Sequence, residues 1–211
     1  MVRVLKAEAE GSLAEAIAVL KGGGLVAYPS DTVYGLGAVA SDERAVTRVF
    51  AAKGRLSEKA LSLLLADVED MPPLCADVPL AAKLLAERFW PGPLTLVLRR
   101  SPAFQSAALG GGDNVALRVP DHLFLRELIR ALGEPITGTS ANRSGRPSCR
   151  TAREVRRQLG SAVDLIIDGG PSRAGPESTV IDITPQEPRM LRVGAISRSE
   201  VERVVRLAPA S

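Results

Sequence analysis

The 211-residue chain has few of the residues that bind metals or form disulfides. It contains one histidine, His122, and two cysteines, Cys75 and Cys149. Zinc sites need several His or Cys ligands, so metal sites built on these residues are close to excluded. A Ser-His-Asp enzyme would have to take its imidazole from this one histidine. His122 stands at the expected start of a helix, where we predict a capping or surface role. We therefore expect no protein metal site, and the cysteine usage favours a reducing cytoplasm.

Long apolar runs and strong charge imbalance are also missing. No stretch approaches the length of a membrane span, and the N-terminus carries charges too early for a signal peptide. Lys and Arg together number 27 against 24 Asp and Glu, which gives a net charge of +3. This mildly basic balance permits anionic substrates without requiring nucleic acid. We expect a cytoplasmic protein that makes no contact with a membrane.

Helix and strand patterns alternate along the chain without a linker, an internal repeat or a break in composition. This alternation predicts one α/β domain over residues 1–211, with a twisted mixed parallel and antiparallel sheet and flanking helices. The last helix is predicted at about residues 197–207. Strands are predicted at residues 25–28, 60–65, 94–98, 115–119, 163–167, 180–183 and 190–193, and around Ile136. Helix caps are predicted at Ser12 with Glu15, Ser41, Asp121, Thr151 with Glu154, and Ser197 with Glu200.

Two tracts flank one predicted helix: residues 29–37 (PSDTVYGLG) and residues 53–55 (KGR). They would place a glycine-containing turn and two cationic side chains next to the same cavity. Transfer of a phosphoryl or nucleotidyl group needs this combination, because it depends on positioning and charge stabilisation. Lys59 adds a third cation. A helix C-terminus with ordinary basic residues explains the same pattern equally well at this stage.

Two common phosphate-binding motifs do not fit. The glycines at 35 and 37 do not follow a strand directly, as a dinucleotide-binding turn requires. No GxxxxGK[ST] sequence is present, so a P-loop is also disfavoured. Phosphate binding, if present, must use another loop arrangement.

Arg118 lies inside an otherwise apolar strand, residues 115–119 (VALRV). A guanidinium there is costly unless it meets an anion or faces a wet cleft. A ligand carboxylate and a structural salt bridge would both satisfy it. We favour the ligand, because guanidinium groups bind carboxylates bidentately.

Small polar residues follow the strand around Ile136, at residues 138–145 (GTSANRSG). Such donors can bind a nucleotide while glycine lets the backbone approach closely, although an ordinary turn-rich loop has the same composition. A second polar turn, residues 175–180, and Arg192 are predicted to reach the same cleft. Arginines at 143, 146, 150, 153, 156 and 157, with Glu154 as the only acid, indicate either a solvated helix face or a contact for RNA phosphates.

Taken together, these tracts resemble the threonylcarbamoyl-AMP synthase family, which has a YrdC-type domain. The matching segments, in the family's order, are PSDTVYGLG (29–37), KGR (53–55), WPGPLT (90–95), VALRVP (115–120), TSANRSG (139–145), DGG (168–170) and ESTV (177–180). They cover about residues 10–196, and the ordered set is highly specific. The resemblance implies a twisted mixed α/β fold with a large, positively charged concave cleft. It also implies the short form, without the additional C-terminal domain of longer members.

The resemblance implies a reaction as well. L-threonine, bicarbonate and ATP, with Mg2+ on the triphosphate, would give threonylcarbamoyl-AMP and pyrophosphate. Partner proteins would use this adenylate to form N6-threonylcarbamoyladenosine (t6A) in tRNA. Two alternatives stay open: an RNA-binding paralogue without synthase activity, using the stretch from Arg143 to Arg157, and a carbamoyltransferase relative that handles a carbamoyl-adenylate.

Roles for individual residues follow from the same resemblance. The expected catalytic residues are Lys53 and Arg55, placed at the phosphates. Expected ATP contacts are Arg55, Lys59, Asn114, Gly138, Ser140, Ser148 and Arg192. Expected threonine contacts are Thr32, Arg118, Gly138 and Ser178. Leu56 and Leu64 stand where many members have proline and histidine, and Ser30-Asp31 replaces the more usual Thr-Glu, so the threonine pocket is expected to differ in detail.

Overall fold

The computed structural model of the protein describes residues 2–172 and 175–209. Within them the chain folds as an α/β structure with a mixed sheet and flanking helices, as the sequence predicts. The helices are α1 Ser12–Lys21, α2 Glu43–Lys53, α3 Leu80–Phe89, α4 Leu123–Leu132, α5 Ala152–Leu159 and α6 Arg198–Glu202. The strands are β1 Arg3–Lys6, β2 Val26–Tyr28, β3 Gly35–Gly37, β4 Ser62–Leu64, β5 Leu94–Arg99, β6 Asn114–Arg118, β7 Ile136–Ser140, β8 Leu165–Asp168, β9 Thr179–Asp182 and β10 Arg189–Arg192.

The described strands form one sheet in the order β1-β8-β2-β3-β7-β4-β6-β5-β9-β10. The pairs β1/β8, β2/β8, β4/β6 and β5/β9 are parallel. The pairs β2/β3, β3/β7, β4/β7, β5/β6 and β9/β10 are antiparallel. Strands distant in sequence therefore meet at the centre, where β7 joins β3 to β4.

Helices cover both faces of the sheet. Along β2, Val26 and Tyr28 belong to the hydrophobic cluster under α1 and α4, whereas Ala27 belongs to the cluster under α2, α3 and α5. Leu165 and Ile166 of β8 divide in the same way. Because successive side chains of a strand point to opposite faces, apolar residues at adjacent positions mark a strand that is buried on both sides.

The two glycines of the tract predicted as a turn, residues 29–37, lie in a strand, whereas residues 29–34 form a loop. Gly35 and Gly37 form the ends of β3 and pair with β2. A Cβ atom on Gly35 would lie 2.2 Å from the Tyr28 ring, and one on Gly37 would lie 2.7 Å from it. These glycines are needed for the close packing of two neighbouring strands, which sequence spacing alone did not reveal.

Three of the predicted helix caps are wrong. The side chain of Ser12 donates to the carbonyl of Ala7 at 2.8 Å and does not cap α1. The N-cap of α2 is Asp42, not Ser41, and accepts from the Ala45 amide at 3.0 Å. The N-cap position of α4 falls on His122, not Asp121, and it has no side-chain cap. At α2 and α4 the N-cap lies one residue after the predicted one, and at α1 the predicted capping hydroxyl binds a backbone carbonyl instead.

The other two predicted caps are confirmed. Thr151 and Glu154 form a capping box at α5, and Ser197 and Glu200 form one at α6. The final helix is five residues long, shorter than the predicted span of about 197–207. In the described part of the chain, no helix has the length and apolar character needed to cross a membrane.

Candidate functional site

A cleft of about 280 Å³ opens at the centre of the sheet, where β4, β6, β7 and β9 come together. Among its described lining residues, three arginines face one glutamate, Glu177. The lining includes seven of the residues predicted to bind ligands: Thr32, Arg55, Arg118, Gly138, Ser140, Ser178 and Arg192. Residues from six separate segments are thus gathered around one space.

Arg118 ends β6 and makes four hydrogen bonds at the floor of this cleft. Its Nη2 lies 2.6 Å from both carboxylate oxygens of Asp31, and its Nε donates to the carbonyl of Gly92 at 2.9 Å. Its Nη1 donates to the Thr32 hydroxyl at 3.3 Å. The structural salt bridge considered for Arg118 is therefore present, and its partner is Asp31.

A second group of polar side chains lines the opposite wall. Arg192 donates from Nη1 to Glu177 at 2.6 Å and from Nη2 to the Ser178 hydroxyl at 3.0 Å. The hydroxyl of Ser148, a predicted nucleotide contact that lies outside the described lining of the cleft, donates to the other Glu177 oxygen at 2.7 Å. Ser178 and Thr95 share a hydrogen bond of 2.9 Å. The Glu177 carboxylate therefore links Arg192 and Ser148, two residues predicted to bind ligands, and Arg192 connects them to a third, Ser178.

Lys53 is the last residue of α2 and is buried, with 3% of its surface exposed. Its Nζ donates to the carbonyl oxygens of Ser140 and of Asn142, the latter at 2.9 Å. Burial, with the charge of Arg55 second, lowers the pKa of Lys53 to about 8. Lys53 is not among the residues that line the cleft.

Arg55 follows the left-handed Gly54 and lines the cleft. Its Nε donates to the carbonyl of Lys59 at 3.0 Å, and its Nη2 donates to that of Ala60 at 2.9 Å. Burial lowers the pKa of Arg55. Arg55 thus stabilises the loop before β4 while it presents a cation to the cleft.

Two other predicted nucleotide contacts, Lys59 and Asn114, are exposed and lie outside the described lining. Asn114 begins β6 and shares a strand face with Ala116 and Arg118, because alternate residues of a strand face the same side. Since Ala116 and Arg118 both line the cleft, Asn114 lies on the continuation of that wall. The structure brings Asn114 toward the site but leaves Lys59 at the surface.

The arrangement of arginines, hydroxyls and a glycine-lined wall fits an anionic ligand, and comparison with known proteins places it in a family. A sequence pattern described as telomere recombination, that of Sua5, YciO and YrdC, matches residues 18–194. The chain belongs to the Sua5/YciO/YrdC family. This confirms the resemblance that the ordered motifs indicated.

Relatives in the family carry a specific name. The chain is 46% identical to the threonylcarbamoyl-AMP synthase of Pyrococcus abyssi over 88% of its own length and 55% of that protein. It is 42% identical to the threonylcarbamoyl-AMP synthase of Bacillus subtilis over 92% of its length and 56% of that protein. The chain therefore spans about half the length of these relatives.

The fold agrees with a solved family structure. The crystal structure of P. abyssi Sua5 complexed with L-threonine superposes with a TM-score of 0.92 at 42% identity, covering 100% of this chain and 63% of that one. The correspondence extends over every strand that contributes to the cleft. The predicted α/β fold class is thus confirmed by a family member.

Sequence reasoning missed two carboxylates of this site, Asp31 and Glu177, as binding partners. Asp31 was noted only as a departure from the family's more usual residue, yet it neutralises Arg118. An arginine inside an apolar strand requires such a partner, and this signal was available in the sequence. Glu177 had no comparable signal, because its charged partner Arg192 lies at the end of a mostly exposed strand and does not require a buried anion.

Leu64 is 5% exposed and lines the cleft at the position where the family resemblance led us to expect a histidine. A Cβ on Gly138 would lie 2.7 Å from the Leu64 side chain, so this glycine lets β7 pack against Leu64. The Ser62 hydroxyl donates to the Gly138 carbonyl. The wall beside Gly138 is therefore apolar where a histidine would supply a hydrogen-bonding group.

No group of three or more His, Cys, Asp or Glu side chains that could hold a metal occurs within residues 2–172 and 175–209. Asp31 and Glu177 are both occupied by arginines. A metal that arrives with a polyphosphate needs few protein ligands, because phosphate oxygens and water fill its coordination sphere. The donor set of the cleft fits such a metal complex better than a free ion.

Proposed function

We propose that this chain is an L-threonylcarbamoyladenylate synthase, which converts L-threonine, bicarbonate and ATP into threonylcarbamoyl-AMP and pyrophosphate. This is the first step of t6A formation in tRNA. The observation that carries the proposal is the single cleft where Thr32, Arg118 and Ser178 lie beside Arg55, Ser140 and Arg192. The names of the relatives and the threonine-bound family structure support it.

The threonine end of the cleft is assigned to Thr32, Arg118, Gly138 and Ser178. A guanidinium has five N–H donors. In Arg118, four of these hydrogens are used: two by the carboxylate of Asp31, one by the Thr32 hydroxyl and one by the Gly92 carbonyl. One Nη1 hydrogen is left without an acceptor among the described residues. That hydrogen is available for the carboxylate of threonine without loss of the Asp31 pair.

The nucleotide end is assigned to Arg55, Ser140, Ser148 and Arg192, with Gly138 between the two ligands and with Asn114 and Lys59 at the rim. Ser140 is one of the described residues that line the cleft. The carried-over role of Lys53 as a phosphate ligand stays a prediction, since its ammonium now binds two carbonyls. Mg2+ would enter with ATP and neutralise part of the phosphate charge.

The proposed chemistry needs no protein nucleophile. The threonine amine forms a C–N bond with bicarbonate or the CO2 derived from it, with loss of water or a proton, which gives a carbamate. A carbamate oxygen then forms a P–O bond with the α-phosphorus of ATP as the bond to the β-phosphate breaks and pyrophosphate leaves. The protein supplies alignment of the two ligands and positive charge for the developing phosphate charge.

The test is pyrophosphate release from ATP and Mg2+, with and without L-threonine and bicarbonate, together with transfer of labelled bicarbonate into the adenylate. Release that requires both co-substrates is expected. Arg118→Met should lower kcat/KM for threonine roughly 10- to 100-fold, as loss of a charge-assisted hydrogen bond does. Arg153→Met, which removes an exposed arginine of α5, is the matched control. Pyrophosphate release in the absence of threonine would contradict the proposal. So would a protein that binds ATP but releases no pyrophosphate when both co-substrates are present.

RNA binding is a second candidate, favoured by a second concavity of about 490 Å³ on the surface, whose lining includes Ser148. Its described lining includes Arg143, Arg146 and Arg157, with Glu154 as the acid. Contact with RNA phosphates there makes affinity fall with salt, and each lost contact lowers the salt slope by about one. Replacing Arg146 and Arg157 by Met should have this effect on tRNA binding, whereas Arg44→Met on α2 should not. If replacing Arg146 and Arg157 changes neither the affinity for tRNA nor its salt dependence, this patch is not the RNA-binding surface.

The remaining partners follow from the chemistry. A mixed anhydride of a carbamate and AMP is labile, so we propose that tRNA-modifying proteins take it up directly. We also propose a cytoplasmic location, supported by the two cysteines, Cys75 and Cys149, which are free and buried. Co-purification of t6A-forming activity with the full-length protein would test the first point.

A further inference from the structure

Lys53 holds one loop at three positions. Its ammonium donates to the carbonyls of Ser140 and Asn142, and its own carbonyl accepts from the Ser144 amide at 2.8 Å. The Asn142 amide also donates to the Ser140 carbonyl at 3.0 Å. The end of α2 and the turn after β7 are therefore fastened together by one residue.

The position of the ammonium argues against a primary contact with a ligand. Lys53 is 3% exposed and does not line the cleft, whereas Arg55, two residues later, does. A buried ammonium is costly unless acceptors surround it, and the two carbonyls take two of its three hydrogens. In the described structure, its hydrogen-bonding capacity is mostly used within the protein.

The loop that Lys53 holds forms the wall where the nucleotide is proposed to bind. Gly138, Thr139 and Ser140 all line the cleft, and the carbonyl that Lys53 binds belongs to Ser140 itself. The next residue, Ala141, donates its amide to the Tyr34 carbonyl at 2.7 Å. By binding the Ser140 carbonyl, Lys53 fixes the backbone of a residue that lines the cleft.

We propose that Lys53 is a positioning residue: its ammonium sets the conformation of the 140–144 turn and so presents Ser140 to the nucleotide. The assignment of a nucleotide to this wall rests on the proposed function. The clamp itself does not, because it is a property of the protein without ligands. A direct contact between Lys53 and a phosphate is the competing role.

The first test is hydrogen–deuterium exchange of the ligand-free protein. Lys53→Met keeps the length of the side chain but removes both hydrogen bonds, so the amides of Ala141, Asn142 and Ser144 should exchange about tenfold faster or more. Arg55→Met is the matched control: Arg55 donates to Lys59 and Ala60, and to none of the loop residues. It should leave these amides at the wild-type rate.

The second test is a double-mutant cycle on the affinity for Mg2+-ATP, measured without threonine. If Lys53 acts through Ser140, the losses caused by Lys53→Met and Ser140→Ala should be strongly non-additive. If Lys53 contacts a phosphate directly, the two losses should add. Unchanged loop exchange in Lys53→Met together with additive losses would overturn the positioning role.

Lys53→Arg covers the case in which the methionine variant does not fold. It keeps the charge, but the larger planar guanidinium cannot repeat the two carbonyl contacts in the same buried space. The positioning role predicts faster exchange of the loop amides despite the retained charge. A direct phosphate role predicts wild-type exchange and retained ATP affinity. Because exchange needs no turnover, a failed synthase assay would leave this result interpretable.

Discussion

Arg118 and Asp31 form a buried ion pair at the floor of the cleft: Nη2 lies 2.6 Å from both carboxylate oxygens, and the two side chains are 9% and 6% exposed. The pair joins β6 to the loop after β2, which are separated by 87 positions in the sequence. Removal of one partner from such a pair leaves a buried charge without compensation. The binding site and the stability of the fold thus depend on the same contact.

Asp31→Asn should lower the free energy of unfolding by about 3 kcal/mol or more, because it leaves the Arg118 guanidinium unpaired. L-threonine should restore more stability to this variant than to the wild type, since its carboxylate can take the vacant place. Urea unfolding with and without L-threonine measures both effects. The double variant Asp31→Asn with Arg118→Met should recover much of the loss. Wild-type stability in the single variant would contradict the role of the pair.

Glu177→Gln should change stability by less than about 1 kcal/mol, because its pair with Arg192 is exposed at 46% and 38%. It should tighten Mg2+-ATP binding several-fold, because a negative charge beside an anionic ligand is removed and Arg192 and Ser148 are released. Titration calorimetry at low salt gives the affinity, and the gain should shrink as salt is added. Weaker binding would instead show that Glu177 orients these two residues.

Gly35→Ala should destabilise the fold by about 1–3 kcal/mol, the usual cost of overpacking. The new Cβ would lie 2.2 Å from the ring of Tyr28, which is buried and hydrogen-bonded to the Thr137 carbonyl. Gly175→Ala is the control, since a Cβ there would meet no atom of the described residues within 4 Å. Thermal unfolding of the two variants compares them directly, and equal melting temperatures would argue against the close packing.

Lys53 should make stability depend on pH above 8. Burial lowers its pKa from 10.5 to about 8 in the folded protein. Between these values the unfolded chain binds a proton that the folded protein does not, so the free energy of unfolding rises with pH. Across this window the free energy of unfolding of the wild type should rise by up to about 3 kcal/mol relative to that of Lys53→Met. A constant difference between the two proteins from pH 7 to 10 would refute the shift.

The sequence by itself determined the fold class and most elements. Capping patterns, terminating glycines and, for α2, the helical spacing of apolar residues predicted the α-helices that the structure describes, including α3 near Leu80–Phe89. Two strands were missed, β1 and β3. β1 is largely exposed, and β3 is a Gly-Leu-Gly segment whose glycines fit against Tyr28. Neither carries the apolar pattern that marks a buried strand.

The ordered motifs also determined the family and most of the residues that line the cleft. Only the tertiary structure decided how those residues are held. The sequence shows that Arg118 needs an anion, but the crossing of β6 over the 29–34 loop selects Asp31. Lys53 reads as a free cation at a helix end, yet the turn after β7 surrounds it with carbonyls. Local patterns fix secondary structure because their forces act over a few residues, whereas buried charges are paired by strands that meet only when the sheet forms.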